Sequence, residues 1–140
     1  MTMEPAHLRP SVNTETFYIH ATRRAGSYPR KTEDRGKWLI FVPVLAVDEV
    51  WGRIRQATEN GDLGGASKVA TAKPNALTLH NNKRVICIYT YDCRDEADVM
   101  RVRAELRKLG INESISYKPD KATRAGAYSR DGTRVGKYRA

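Results

Sequence analysis

Long apolar runs are missing from this chain of 140 residues. None approaches the ~18 residues that a bilayer-crossing helix needs. The opening stretch, MTMEPAHLRPSVN, has no apolar segment of the kind found in secretory signals. The expected compartment is the cytoplasm, and no membrane partner is expected. Cysteine is scarce too, with only Cys87 and Cys93 present. Their spacing fits neither a CxxC redox pair nor half of a zinc site, so two reduced structural thiols are expected, Cys87 pointing into a core. The chain has only three histidines, and they show no metal-ligand spacing. Walker A and GxGxxG loops are absent, and no nucleophilic triad can be traced. Neither a metal nor a cofactor is expected.

Positive charge, by contrast, is plentiful. Lysine and arginine number 25 against 16 acidic residues, a formal net charge of +9. Such a field attracts anions: phosphorylated protein, nucleotides or nucleic acid. The stretch from Arg107 to Ala140 holds nine Lys/Arg against three acidic residues. A second cluster, Arg23, Arg24, Arg30, Lys31, Arg35 and Lys37, precedes the first strong strand. Two basic regions around a mixed core imply a face, not a tail. A hydrophobic fraction of 40% and a charged fraction of 29% are globular values, and the length suits one domain.

Residues 1–13 read as a flexible N-terminal arm and residues 14–140 as a single domain. TFYIHAT (16–22) is β-branched and aromatic, hence a strand. RRAGSYPRKTEDRG (23–36) is a loop, and KWLIFV (37–42) a strand ended by Pro43. Val47, Val50, Trp51, Ile54 and Thr58 form one helical stripe, with Asp48 and Glu49 expected in its first turn. ASKVATA (66–72) reads as a strand and ALTLH as a short edge strand. RVICIYTYD (84–92), apolar on both faces, suits a central strand. Asp95 caps a second helix with Val99, Val102, Leu106 and Leu109 inward and Gly110 just past its end. SISYKPD (114–120) is a further strand, and the tail is loop with room for one more. This order predicts an α+β fold, a mostly antiparallel sheet with two helices on one face. A ferredoxin-like sandwich is the runner-up.

The candidates for chemistry are basic side chains near strand ends. Lys37 follows Gly36, Lys68 stands among small residues in ASKVATA, Lys118 follows Tyr117, and Arg124 lies in the tail. Lysine offers phosphate a compact charge and arginine a two-pronged fork. A lysine desolvated among other cations can also act as a base. Trp38 is a candidate base-stacking platform, whereas Trp51, on the helical stripe, reads as core. Tyr89 and Tyr91 share one face of the central strand. His20, in H-A-T, and His80, in H-N-N, raise a two-histidine phosphodiesterase, although the second motif lacks its threonine.

GKWLIFV, DEVWGRIRQATENGDLG, ASKVATA, VICIYTYD, DVMRVRAELRKLGI and ISYKPDKATRAGAYS resemble, in order and spacing, the phosphothreonine lyase domain-containing proteins. That family takes in the protein named for expression in basophilic leukaemia. The resemblance covers roughly residues 35–139 and implies a curved antiparallel sheet backed by helices, similar to the mRNA cap-binding initiation factor. It also implies β-elimination of phosphate from phosphothreonine. By that resemblance Lys68 matches the base, and Lys37, Tyr89, Lys118 and Arg124 match phosphate contacts. The position of the acid histidine is Leu39, which cannot protonate a leaving group, so His20 stands as the candidate acid.

Three readings follow. The first is a phosphate-binding domain resembling phosphothreonine lyases, acting on or binding a phosphorylated protein or peptide, with enzymatic turnover left open by Leu39. The second is a nucleotide- or RNA-binding domain of cap-binding-like fold. The third is a protein-interaction module without a ligand of its own. The oligomeric state is left open.

Overall fold

The computed structural model describes residues 4–74, 82–121 and 138–140. Six strands form one sheet: β1 (Tyr18–Thr22), β2 (Gly36–Pro43), β3 (Ala66–Ala70), β4 (Lys83–Thr90), β5 (Ser116–Pro119) and β6 (Tyr138–Arg139). Helix α1 (Val44–Asn60) joins β2 to β3, and α2 (Glu96–Lys108) lies between β4 and β5. The strand order is β1-β3-β4-β2-β5-β6, and every neighbouring pair is antiparallel. The chain therefore has the expected α+β fold, a curved antiparallel sheet with two helices. The ferredoxin-like alternative, in which crossover helices set strands parallel, does not form.

Strand alternation sorts the side chains onto two faces. Trp38, Ile40 and Val42 of β2, Val69 of β3, and Ile86 and Ile88 of β4 are all buried on one face. They meet Val47, Trp51 and Ile54 of α1 and Val99, Val102 and Leu106 of α2 in one cluster. Each large apolar side chain so buried contributes about 1.5–3 kcal/mol. Trp38 belongs wholly to this core. It is 0% exposed, its indole N–H donates to the Val99 carbonyl at 3.0 Å, and its ring meets Tyr117 at 5.3 Å. A base cannot reach it, so the stacking role expected for Trp38 is corrected: the alternation of β2 turns it toward the helices.

The helix boundaries follow local chemistry. Helix α1 starts immediately after Pro43, with no side-chain cap. That is earlier than its apolar stripe implies, so Asp48 lies beyond the first turn. Asp48 accepts instead from the Ser11 hydroxyl (2.6 Å) and backbone N–H (2.9 Å) and pairs with Arg9 at 3.3 Å. The described part of the expected loose arm is thus tied to α1. Helix α1 ends at Gly61, whose φ of +86° admits no ordinary side chain without strain. At α2 the Asp95 carboxylate accepts from the Asp98 N–H at 3.1 Å, the cap expected from sequence.

Arg103 of α2 is 2% exposed. Its guanidinium donates to the carbonyls of Ala140 (3.0 Å), Ile111 (2.9 Å) and Glu113 (2.7 Å). One buried cation thereby fastens the end of α2, the following loop and the residue after β6 together.

Candidate functional site

Helices α1 and α2 pack on the Trp38 face, and the register brings the candidate side chains onto the other. His20 of β1 stands opposite Lys68 of β3, Lys68 opposite Cys87 of β4, and Cys87 opposite Leu39 of β2. Leu39 in turn faces Ser116 of β5. One step along the same face, Lys37 is flanked by Tyr89 of β4 and by Lys118 of β5. His20, Lys37, Lys68, Tyr89 and Lys118 therefore share one surface. Lys68 and Lys37 are separated by two strand spacings, about 10 Å across the sheet and about 7 Å along it. Their fields overlap at Cys87: burial pushes this thiol up, while Lys68 and then Lys37 pull it down. Cys87 is buried as expected, yet it lies under these lysines and not in the helix-side core. Both cysteines are free.

His20 adjoins the candidate base Lys68 but is three strands from Leu39. Leu39 itself cannot supply the proton that the resemblance to lyases calls for, and the described register sets His20 apart from it. Arg124 and His80 lie outside the described residues, as does the edge strand expected at ALTLH.

At the end of the face where β3 begins and β4 ends, the loop before β2 folds over a cavity of about 250 Å³. Tyr28, Tyr89 and Tyr91 line it, with Lys31, Arg35 and the small residues Gly65 and Ala66. The Tyr28 and Tyr91 rings meet edge to face at 5.6 Å. Tyr28 donates its hydroxyl to the Asp98 carboxylate at 2.5 Å and accepts from the Tyr91 N–H at 3.1 Å. Burial and that carboxylate push the phenol well above its ordinary value. Tyr91 donates to Asp95, which with burial pushes its phenol up to about 12. Arg35 stands over Tyr89, its Cζ 3.7 Å from the ring centroid, and burial pushes Tyr89 upward as well. Neighbouring Gly64 must be glycine, because a Cβ there would lie 1.9 Å from the Tyr89 carbonyl oxygen.

The cations differ in how they are engaged. Lys37 pairs with Asp120 at 2.8 Å and Arg35 with the other oxygen of the same carboxylate at 3.8 Å. Lys68 stands 4.0 Å from the centroid of the Tyr18 ring. Among the described residues neither Lys68 nor Lys31 has an acidic partner. Lys31 and Arg35 belong to the basic cluster expected to form a face, whereas Tyr28 and Asp120 carry no role in the sequence pattern. The S-Y-P tripeptide around Tyr28, inside a basic loop, was the one visible signal.

This curved antiparallel sheet with two helices is the fold seen in solved eIF4E structures. Schistosome eIF4E complexed with m7GpppA and 4E-BP is similar, with a TM-score of 0.60 at 17% identity over 79% of this chain. So are C. elegans eIF4E-3 with Mextli and a cap analog (TM-score 0.56, 19% identity, 76% of this chain) and Ascaris suum eIF4E-3 with an m2,2,7G cap (0.55, 16%, 87%). The chain spans 61%, 57% and 68% of those three proteins, respectively. Residues 30–126 match the sequence profile of the family described as basophilic leukemia-expressed protein Bles03, and the chain belongs to that family. The expected lyase chemistry draws support from neither that description nor the similar structures. Among the described residues no helix is long and apolar enough to cross a membrane.

Proposed function

We propose that the open face of the sheet binds a nucleotide, free or at the end of an RNA. Its ring would enter the tyrosine-lined cavity and its phosphates would lie on Arg35, Lys37 and Lys68. The observation that carries this reading is the junction of two chemistries. Tyr28, Tyr89 and Tyr91 enclose a space about the size of a ring system, and Arg35 and Lys31 stand at the same wall. Aromatic walls suit any nucleobase, since every base has a π-face, and cations hold its phosphates. A phosphopeptide would use the cations but leave the three tyrosines idle. The cap-bound state of the similar eIF4E structures supports the same choice.

Isothermal titration calorimetry with GTP and with m7GpppA tests it. Trp38 and Trp51 are both buried, so tryptophan quenching would be a poor reporter. Saturable binding is expected, weakened by Lys68→Ala and by added salt. Absence of heat, and of any shift in melting temperature, with both ligands at millimolar concentration would overturn the proposal.

A further inference from the structure

We infer that Asp120 is an internal competitor for the phosphate position of this face, holding the Arg35–Lys37 pair closed until a ligand displaces it. The inference rests on the nucleotide reading and adds a regulation of the same site. Its basis is geometric. The two oxygens of one carboxylate are divided between the two cations, Oδ1 to Lys37 Nζ at 2.8 Å and Oδ2 toward Arg35 Nε at 3.8 Å. A phosphate would divide its oxygens in the same way. The three side chains are only 13–23% exposed, so the contact is poorly screened by solvent. Asp120 is also delivered to this position by backbone: its N–H donates to the Arg35 carbonyl at 2.8 Å, directly after β5.

A tethered carboxylate acts at a high effective concentration. Any phosphate arriving at Arg35 and Lys37 must therefore exchange with it, and the observed affinity is the intrinsic one divided by the stability of the closed pair. Lys68, which has no acidic partner among the described residues, is open to the ligand from the start. Binding then proceeds by capture at Lys68 and exchange at Arg35 and Lys37. The carboxylate released by the exchange moves into water and gathers cations from solution, offsetting those shed by the ligand, so wild-type binding is less salt-sensitive than the number of contacting cations implies.

The experiment titrates wild type, Asp120→Asn and the double variant Asp120→Asn/Lys37→Met with GTP at low and moderate salt. Asparagine keeps the backbone N–H and the shape and removes only the charge. Asp120→Asn is expected to bind GTP about fivefold tighter than wild type and to lose affinity more steeply with salt. The double variant is expected to lose that gain. Equal or weaker binding by a folded Asp120→Asn protein, with wild type still binding, overturns the inference and leaves the nucleotide reading standing. If Asp120→Asn fails to fold, carbon-13 NMR of the wild-type aspartate carboxylates decides. A shift of the Asp120 signal toward a solvent-exposed value on saturation with GTP supports the exchange, and an unmoved signal overturns it. If neither wild type nor Asp120→Asn binds GTP or m7GpppA, the nucleotide reading itself has failed.

Discussion

Replacing Tyr28 by phenylalanine removes one oxygen and keeps the ring. That oxygen donates to the Asp98 carboxylate and accepts from the Tyr91 N–H. A hydrogen bond to a charged group is worth about 1.5–3 kcal/mol and one between neutral groups about 1 kcal/mol. Asp98 would not be orphaned, because Arg101 also donates to it from Nε and Nη2, so the lower half of that range applies. The expected loss is about 2–3 kcal/mol, or roughly 8–12 °C in melting temperature at this chain length. The sign of the pH dependence follows from the raised phenol. Stability from Tyr28 is fully present below the unfolded value of about 10 and is lost as pH rises above it toward the folded value. Wild type and Tyr28→Phe should therefore converge at strongly alkaline pH. Urea denaturation with an unchanged m-value measures the difference. A loss under about 0.5 kcal/mol at neutral pH, or a gap constant with pH, would show that these bonds do not hold the loop over the cavity.

Two further outcomes test the frame around the site. Arg103→Met should destabilise by about 3 kcal/mol, since three carbonyls lose a charged donor, the one to Ile111 fully buried; a melting temperature within a degree or so of wild type would contradict that account. The Asp92 carboxylate accepts from Arg94 and Thr32, which hold it well below the ordinary range. Its contribution is present above the unfolded value of about 4 and is lost as pH falls through the folded value, so Asp92→Asn should flatten acid unfolding followed by circular dichroism.

The elements were legible because each carries a local signature. The alternation of KWLIFV, the stripe through Trp51 and Ile54, and the cap at Asp95 all appear where sequence places them. What local pattern could not supply was the pairing. Lys68 was visible as an unusual strand lysine, but its position between His20 and Cys87 depends on β1 and β4 both choosing β3. Trp38 went astray for a related reason: alternation defines two faces of a strand without saying which one the helices will cover. Asp120 escaped notice because nothing in KPDK separates a gating carboxylate from a solvated one. The start of α1 was misplaced because Pro43 opens it without a side-chain cap.

The strand order has a kinetic consequence. Of the strands that bear the open face only β3 and β4 are neighbours both in space and along the chain, as β2 sits between β4 and β5, and β1 beside β3. No single hairpin carries the site. A nascent or partly folded chain exposes the same lysines without their partners, and these long-range pairings form slowly. Ligand binding thus reports a finished sheet. At the edge, where β1 has a neighbour on only one side among the described residues, fraying would withdraw His20 and Tyr18 from the face while the helix-backed core stayed intact.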